Sequence, residues 1–400
     1  MKGRSPLLVI FLTVFIDLVG FGICLPLLPK YAVRYGADGW QIGAVMGAYS
    51  LMQLLCAPWW GALSDRIGRR PVLLVSTAGA VGAYALFALS ANFAGTTGLL
   101  ILLGSRLFAG LCGANLGVAS AAIADVTTPE NRSRGMSLIG MAFGLGFVFG
   151  PVLGGLAFES LGLAGPGMVA SSLCFFNLVV AFFVLPETRP PIALAVAVAP
   201  QSRLGLVQTT LSRPLVGFLV MLYFIATLSF TCFESTLPLL LNDVFHYGEK
   251  HTSYLFAYCG LMGALIQGAA IRPLVKRYGD ENLVWISLFA AAIALLAMPF
   301  SSTLSLMLGA LALFAGGSGL NRAPTMGLIS KHSPVNEQGA TMGVAQNAGT
   351  LARVIGPVIA TGLYKWSLPA PYIFCATVAA GGGILAMSRL RKSGNSTNNS

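Results

Sequence analysis

Five charged residues lie well away from the ends of long apolar stretches of the sequence, where an ionisable side chain is costly and calls for a reason. A carboxylate taken out of water has its pKa raised, and a nearby arginine lowers it again. A buried acid poised in this way can bind and release a proton. The five positions are Asp17, Arg106, Glu234, Arg322 and Arg353.

Two interpretations of the two acids stay open. Asp17 and Glu234 are candidates for reversible proton binding, or each forms a fixed structural ion pair. For Arg322 and Arg353 the structural interpretation is favoured, because each is expected to lie nearer the cytoplasmic end of its helix, where a long side chain can reach the membrane interface.

The composition is typical of an integral membrane protein. Of its 400 residues, 56% are hydrophobic and 9% are charged, against about 25% charged in soluble domains. Apolar stretches of about 20 residues recur from end to end, each long enough to cross about 30 Å of hydrocarbon. We predict an all-α membrane protein with twelve transmembrane helices in two six-helix bundles. The predicted spans are 7–29, 40–63, 73–92, 98–124, 135–158, 164–186, 215–241, 252–275, 282–300, 303–330, 339–363 and 369–388.

The basic residues predict the orientation. If the N-terminus is cytoplasmic, seventeen of the 24 Lys and Arg residues fall on that side, four on the other and three within spans. We expect a multi-pass protein of the plasma membrane with both termini cytoplasmic. The net charge of +11 comes from short clusters between spans, so nucleic acid is not an expected partner. Asp17 and the lack of a cleavage site favour a first span that is retained.

The sequence divides into similar halves. We predict an N-terminal bundle at 1–186, a cytoplasmic linker at 187–213, a C-terminal bundle at 214–388 and a cytoplasmic tail at 389–400. Within the linker, 192–199 is too short to span and is expected to be an interfacial segment or a mobile loop. Several short motifs recur, such as Gly150-Pro151 at Gly356-Pro357, 206 residues later, which indicates parallel repeats with a central site between them.

Two glycine-containing segments are candidates for conformational roles. In the loop 61–71, Gly61 permits close helix approach, Gly68 permits a tight turn, and Asp65 can pair with an arginine or cap a helix. The alternative is a plain basic loop. In 146–155, glycines four apart make a packing groove and Pro151 bends the helix, although packing alone is a sufficient explanation. The loop residues proposed to gate are Gly61, Ser64, Asp65, Arg66, Gly68, Arg69 and Arg70, and the helix residues are Gly146, Gly150, Pro151, Gly154 and Gly155.

Both segments resemble motifs of the major facilitator superfamily. The loop 61–70 contains its G-x-L-x-D-R-x-G-R-R pattern in full, and 268–279 resembles a degraded copy. The segment 146–155 is similar to the G-x-x-x-G-P-x-x-G-G motif of the drug/proton antiporters. Asp17 resembles the first-helix acid of twelve-helix exporters, and Arg106 the fourth-helix arginine linked to proton transfer. The resemblance implies that Asp17 and Arg106 line one cavity, where they can pair.

The first 190 residues look most like the tetracycline-efflux branch, which implies a bacterial inner membrane. Classical members also carry acids in helices 3 and 9 and a histidine in helix 8. This chain has Ala83 and Gly263 at two aligned places and no acid within 282–300. These departures argue against metal-chelated tetracycline as substrate and leave Glu234 to carry coupling in the second half.

We therefore predict a proton-coupled exporter of a small amphipathic compound or drug, working by alternating access as a functional monomer. Its partners are the small-molecule substrate, protons and the lipid bilayer, and we expect no cofactor, no metal and no enzymatic activity. A facilitator or symporter of a small metabolite and a non-transporting sensor or scaffold are the alternatives. Polar residues that can line the substrate cavity or simply join helices are Asn115, Gln267, Asn321 and Gln346.

Overall fold

The structure is a computed structural model that describes residues 6–128, 132–189, 203–334 and 337–397. Within these residues the chain is helical and forms no β-strand, which agrees with the all-α prediction. The helices up to residue 184 are α1 (Pro6–Cys24), α2 (Leu28–Arg34), α3 (Gly39–Ile67), α4 (Arg69–Ser90), α5 (Gly95–Cys112), α6 (Leu116–Val126), α7 (Arg132–Leu161) and α8 (Gly165–Val184). The later helices are α9 (Arg203–Ser212), α10 (Pro214–Phe245), α11 (Glu249–Leu265), α12 (Ile271–Ala297), α13 (Leu304–Lys331), α14 (Gln338–Trp366) and α15 (Ala370–Thr397).

Segments of membrane-crossing length occur at all twelve predicted places. The described residues contain nine stretches that are long and apolar enough to cross a membrane. Two of these, 47 and 52 residues long, each hold two crossings, because the backbone turns at Gly162 (φ 67°) in one and Gly279 (φ 75°) in the other. The remaining crossing is α14, whose 29 residues are long enough but include the polar Gln346, Asn347 and Arg353.

Two crossings are interrupted where the sequence disfavours a regular helix. Pro26 and Pro29 each lack a backbone N–H, and a 3₁₀ turn at Leu25–Leu27 separates α1 from α2 there. A similar turn at Gly113–Asn115 separates α5 from α6. The start of α3 is fixed locally, since the N–H of Asp38 donates to Oε1 of Gln41 over 2.7 Å. These interruptions divide α1 and α5, which both contribute to the site described below.

The chain divides into two compact units. The first comprises Met1–Val198 and His246–Gly260, and the second comprises Ala199–Phe245 and Leu261–Ser400. The predicted domain boundaries did not anticipate that 246–260 would group with the first unit. The predicted linker contains α9, whereas the prediction for 192–199 falls outside the described residues. The last helix continues beyond residue 388, as far as Thr397.

In the first unit, α1 packs closely on α7 through glycines. A Cβ atom on Gly150 would lie 2.6 Å from the Cα of Gly22, and one on Gly154 would lie 2.5 Å from the carbonyl oxygen of Ile23. No side chain fits at such distances, so the two backbones touch. The helix α4 packs on α5 and α8, and α3 packs on α5, which completes the first unit's core.

The second unit repeats this arrangement with α10 and α14. The backbone of Gly356 contacts the side chain of Thr231, whose Oγ1 also donates to the carbonyl of Ala352 over 3.3 Å. About two helical turns earlier on α14, a Cβ on Gly349 would lie 2.7 Å from the ring of Tyr223. The pair formed by α10 and α14 therefore corresponds to the pair formed by α1 and α7, as the repeat of Gly150-Pro151 at Gly356-Pro357 predicts.

Candidate functional site

A small pocket surrounds Asp17 within the first unit. Its cavity volume is about 30 Å³, far below the roughly 300–1,000 Å³ of sites that hold drug-sized ligands. In this conformation the pocket is therefore too small for a ligand of that size. The walls come from α1, α3, α4, α5 and the segment that follows α5. The lining residues are Val14, Asp17, Leu18, Tyr49, Ser76, Ala80, Tyr84, Ala109, Cys112, Gly113 and Leu116.

Asp17 is half-buried in this pocket among polar neighbours. Nδ2 of Asn177, on α8, lies 3.5 Å from Oδ1 of Asp17 and donates to the carbonyl of Thr13 over 3.2 Å. Asn177 is itself buried, so α8 approaches the carboxyl group from one side, and Tyr49 and Tyr84 line the same pocket. The sequence did not identify Asn177, because an asparagine in an apolar helix is equally consistent with packing.

Arg106 is buried next to the pocket and is surrounded by aromatic rings. Its side chain is 1% exposed, and its guanidinium carbon lies 5.5 Å from the ring centre of Tyr84 and 5.2 Å from that of Phe87. Its Nε lies 3.5 Å from the hydroxyl of Ser105, and its Nη2 has no hydrogen-bond partner within the described residues. Tyr84 thus contacts both the pocket and Arg106. A direct pair between Asp17 and Arg106 is not among the ion pairs recorded for the described residues and stays a prediction.

The glycines of 146–155 connect this pocket to two other helices. A Cβ on Gly146 would lie 3.0 Å from the backbone of Leu18, the residue after Asp17. On another side of α7, a Cβ on Gly155 would lie 2.9 Å from Ser253, in the part of α11 that belongs to the first unit. Pro151 lies inside α7 between these contacts. The backbone next to Asp17 is therefore in direct contact with α7.

The loop between α3 and α4 is organised by one arginine. Gly68 has φ 102° and ψ 163°, a conformation open to glycine alone, and it turns the chain between the two helices. Nη1 of Arg69 then donates to Ser64 Oγ over 2.6 Å and to Asp65 Oδ1 over 2.7 Å, while its Nε donates to Asp125 Oδ2 over 3.1 Å. The proposed gating residues Ser64, Asp65, Gly68 and Arg69 are thus brought together. Of the two roles expected for Asp65, pairing with an arginine or capping a helix, the structure shows the pairing with an arginine.

Glu187, which the sequence did not single out, caps the start of α4. Its carboxylate accepts from the backbone N–H of Arg69 over 2.9 Å and from that of Arg70 over 3.1 Å. Partial burial acts to raise the pKa of this carboxyl, but bonds from the N–H groups of Arg189, Arg69, Arg70 and Thr188 outweigh it and hold the pKa below its ordinary 4.5. The available signal was a lone acid directly after the sixth span, in Pro186-Glu187-Thr188-Arg189.

The other members of the loop motif have separate roles. Nη2 of Arg70 donates to the carbonyl of Phe182 over 2.7 Å, which ties the start of α4 to the end of α8. Arg66 is exposed. A Cβ on Gly61 would meet no heavy atom of the described residues within 4 Å, so the predicted close helix approach at Gly61 is not observed in this conformation.

The second unit contains its own buried acid. Glu234 lies inside α10 and is 7% exposed. Arg353 lies at the middle of α14, which packs on α10, and not nearer the cytoplasmic end as the sequence predicted. Within the described residues no ion pair joins Arg353 to Glu234, and its structural role stays a prediction. Arg322 is exposed.

The predicted cavity residues fall into different surroundings. Asn321 is 3% exposed and donates to Ser287 Oγ over 2.8 Å, so it joins α13 to α12 as the packing alternative requires. Gln267 lies exposed in a π-helical turn at Ile266–Ala270, and Gln346 is exposed on α14. The side chain of Asn115 lies outside the described residues. Gln267 and Gln346 stay candidates for substrate contact, and so does Asn115, whose prediction no described contact tests.

Twelve membrane crossings, two units with corresponding helix pairs and an acid inside each unit are features of polytopic membrane transporters. The chain belongs to the Major Facilitator Superfamily, whose model matches residues 10–357 and again 269–400. The family resemblance expected from the loop and helix motifs is thereby confirmed. The protein is a multi-pass membrane transporter.

Similar proteins cover nearly the whole chain. The tetracycline resistance protein of class C from Escherichia coli is 32% identical over 92% of this chain and 91% of its own length. The major facilitator superfamily domain-containing protein 10 of Bos taurus is 31% identical over 96% and 91%. Among solved structures, the human organic anion transporter MFSD10 (TETRAN) matches with a TM-score of 0.71 and 27% identity over 95% of this chain and 98% of that one. The predicted similarity to tetracycline-efflux proteins is confirmed.

Proposed function

We propose that this transporter exports a small amphipathic compound or drug in exchange for protons, by alternating access. The observation that carries the proposal is the half-buried carboxyl of Asp17 in a polar pocket of about 30 Å³. A carboxyl group in such a site can change its charge, because its surroundings are neither open water nor closed hydrocarbon. Arg106 acts on the pocket through Tyr84.

The packing of α7 supports a link between protonation and movement. Gly146 contacts the backbone at Leu18, one residue from Asp17, and Gly150 contacts Gly22. A change in the charge of Asp17 alters the forces on α1, and α7 follows because no side chain separates the two backbones. The antiporter-like motif thus has a mechanical role in addition to packing.

Glu234 is the proposed second proton-binding group. It is buried in the second unit on α10, which packs on α14, the helix that carries Arg353. The gating role of Gly61, Ser64, Asp65, Arg66, Gly68, Arg69 and Arg70 belongs to the same proposal. In it, the Arg69 contacts form in one state and break in another.

The names of two relatives suggest two candidate classes of substrate. One is a tetracycline resistance protein and the other an organic anion transporter. Ala83 and Gly263 argue against metal-chelated tetracycline here. An organic anion is the second candidate, favoured by the buried cation Arg106 whose Nη2 lacks a hydrogen-bond partner in the described residues.

The proposed location is a plasma membrane, in a bacterium the inner membrane, with both termini cytoplasmic and a monomer as the working unit. The bias of basic residues supports this orientation. Cysteine labelling at Ser5 and at Asn399 in sealed cells, in a variant without its native cysteines, tests it: labelling by an impermeant reagent contradicts it.

A two-stage experiment tests transport. A drug-hypersensitive bacterium expressing the chain is first screened with amphipathic cations, organic anions and tetracycline. Inside-out vesicles with an acidic lumen are then given each active compound while a pH-sensitive dye reports luminal protons. We expect addition of the compound to cause protons to leave the vesicle lumen. Asp17→Asn should reduce this proton efflux at least tenfold, and Glu234→Gln should also reduce it.

The matched control is Asp243→Asn, an exposed acid whose amide replacement can still accept the hydrogen bond from Tyr364. It should transport normally. Flux that is indifferent to the pH gradient and to Asp17→Asn contradicts proton coupling. Counterflow without proton movement would instead identify a facilitator, and binding without any flux would identify a sensor or scaffold.

A further inference from the structure

The fourth crossing is broken beside the pocket that contains Asp17. It consists of α5 and α6, with a 3₁₀ turn at Gly113–Asn115 between them. A short 3₁₀ stretch within a longer helix often marks a hinge. Cys112, Gly113 and Leu116, which lie at this break, all line the pocket. The break therefore forms one wall of the pocket.

Three side chains of neighbouring helices donate to three consecutive carbonyl groups at the break. The hydrogen bonds run from Trp60 Nε1 on α3 to Leu111 (2.6 Å), from Ser76 Oγ on α4 to Cys112 (2.6 Å) and from Gln53 Nε2 on α3 to Gly113 (3.0 Å). Carbonyl groups at a helix end lack the partner four residues later, and an unsatisfied carbonyl in a membrane is costly. The three donors therefore stabilise the break.

The second unit repeats the residues of the break without the break itself. Gly113 and Asn115 recur 206 residues later as Gly319 and Asn321. Both of these lie inside α13, which is one continuous helix of 28 residues. The glycine and the asparagine are therefore not sufficient to interrupt the helix, so the surroundings of the fourth crossing must contribute.

The donors to the break are not repeated at the aligned positions of the second unit. Gly68 and Gly279 have similar φ and ψ values and lie 211 residues apart, which aligns the segments around them. The aligned residues are Ala264 for Gln53, Ile271 for Trp60 and Ser287 for Ser76. Ala264 and Ile271 have no polar atom in their side chains. Two of the three donors are thus lost by residue type alone.

The third aligned residue, Ser287, makes different hydrogen bonds from those of Ser76. Its Oγ donates to the carbonyl of Val284 in its own helix over 2.7 Å and accepts from Nδ2 of Asn321 over 2.8 Å. It therefore donates to no carbonyl of α13 among the hydrogen bonds of the described residues. The helix that lacks such donors is continuous, and the helix that has them is broken.

The break is also the wall of the pocket that can move most easily. On the opposite side, α1 is in direct backbone contact with α7 at Gly22 and Gly150. At the break, three side-chain hydrogen bonds hold the segment, and the net loss of one such bond shifts an equilibrium by about fivefold. The pocket volume of about 30 Å³ must increase before a drug-sized solute can enter.

We propose that the turn at Gly113–Asn115 is a hinge about which α6 moves away from Asp17 and enlarges the pocket. Gln53, Trp60 and Ser76 are positioning residues that hold this hinge in the closed arrangement of the structure. Entry of solute through the enlarged pocket rests on the proposed transport function, whereas the hinge itself does not.

Modification of Cys112 in the full-length protein tests the hinge. Cys112 lines the pocket and is 4% exposed, so opening of the hinge makes its thiol accessible to N-ethylmaleimide. Peptide mass spectrometry follows the modification rate of each native cysteine. The variants are Trp60→Phe, Gln53→Leu and the two combined, because neither residue lines the pocket. Ser76 does line it and is left unchanged.

Two matched variants and one internal reference serve as controls. Trp59→Phe makes the same change at the neighbouring residue, which is exposed. Ser171→Ala removes a bond of 3.0 Å to the carbonyl of Val81, which joins α8 to α4 but does not involve the break. Cys174, on α8, is fully buried and reports any general loosening of the first unit.

We expect Cys112 to react about fivefold faster in each single variant, and faster still in the double variant, while Cys174 and both controls stay within about twofold of the parent. A Cys112 rate within that range of the parent in either single variant overturns the hinge. An equal increase at Cys174, or an equal increase at Cys112 in either control, also overturns it.

Export of a compound from the screen tests the link to solute entry. Trp60→Phe should reduce export about threefold or more, because the closed arrangement is no longer held, whereas Trp59→Phe should export normally. Faster modification of Cys112 with unchanged export by Trp60→Phe would overturn the role in solute entry and leave the hinge standing. If the parent protein exports nothing, the proposed function fails, and the Cys112 rates still decide whether the hinge exists.

Discussion

The loops at Gly68 and Gly279 have similar backbone turns, but different charges stabilise the helix that follows each turn. The first places two arginines at a helix start and needs Glu187, 118 residues away from Arg69, to offset them. The second places acids at its helix start and needs no distant cap for this purpose. The first turn therefore depends on the position of α8, whereas the second is stabilised within its own segment.

Alanine at the two glycines gives the largest expected difference. Both positions have a conformation essentially restricted to glycine, so each substitution costs about 1–3 kcal/mol of backbone strain. A Cβ at residue 68 would also overlap the Glu187 carboxylate, whereas residue 279 has open space. Gly68→Ala should therefore lower the melting temperature more than Gly279→Ala does. Equal shifts would mean that Glu187 contributes nothing to the first turn.

Removing the distant cap should have an intermediate effect. Glu187→Gln weakens the acceptor of two N–H groups, at a cost of about 1 kcal/mol because the carboxylate is exposed to solvent. The readout is hydrogen exchange of a peptide covering 64–72, which should become faster. Glu281→Gln, the comparison variant, should leave this peptide unchanged. Faster exchange of 64–72 in both variants would contradict a local cap.

The smallest expected effect is a pH dependence confined to the first loop. The pKa of Glu187 is held below its ordinary 4.5, so its stabilising contribution is complete above about that pH and is lost as pH falls through the folded-state value. The difference in exchange of 64–72 between the parent and Glu187→Gln should therefore close on acidification from pH 7 to about pH 3. A difference that stays constant with pH would show that protonation of Glu187 does not affect the stability of the loop.

The spans were predictable because each crossing needs about 20 apolar residues, which is a local property. Even the polar α14 was identified, with Gly356-Pro357 as additional support from the repeat. The loop residues of 61–71 were identified by spacing alone. Their partners Asp125 and Glu187 were not, because they are 56 and 118 residues from Arg69 and only the packing of α6 and α8 brings them close.

The second loop shows a different limit of sequence comparison. Judged by identity, 268–279 resembles a degraded copy, since Lys276 replaces an acid there, and the next residue, Asp280, replaces an arginine. The shared backbone turn makes the correspondence visible. Asn321 shows another limit, because the sequence left a cavity role and a helix-joining role equally open, and the hydrogen bond to Ser287 supports the second.

The polarity of α14 has a consequence for biosynthesis. An arginine at the centre of a helix costs about 2.5–3.5 kcal/mol on insertion scales, and Arg353 is accompanied by Gln346 and Asn347. Such a helix does not partition into lipid efficiently by itself. We expect it to need α10, which supplies the Thr231 contact at Gly356, to be in the membrane first. Integration of α14 would then be a late and cooperative event, and truncated or mutated chains would be retained by the insertion machinery at this helix.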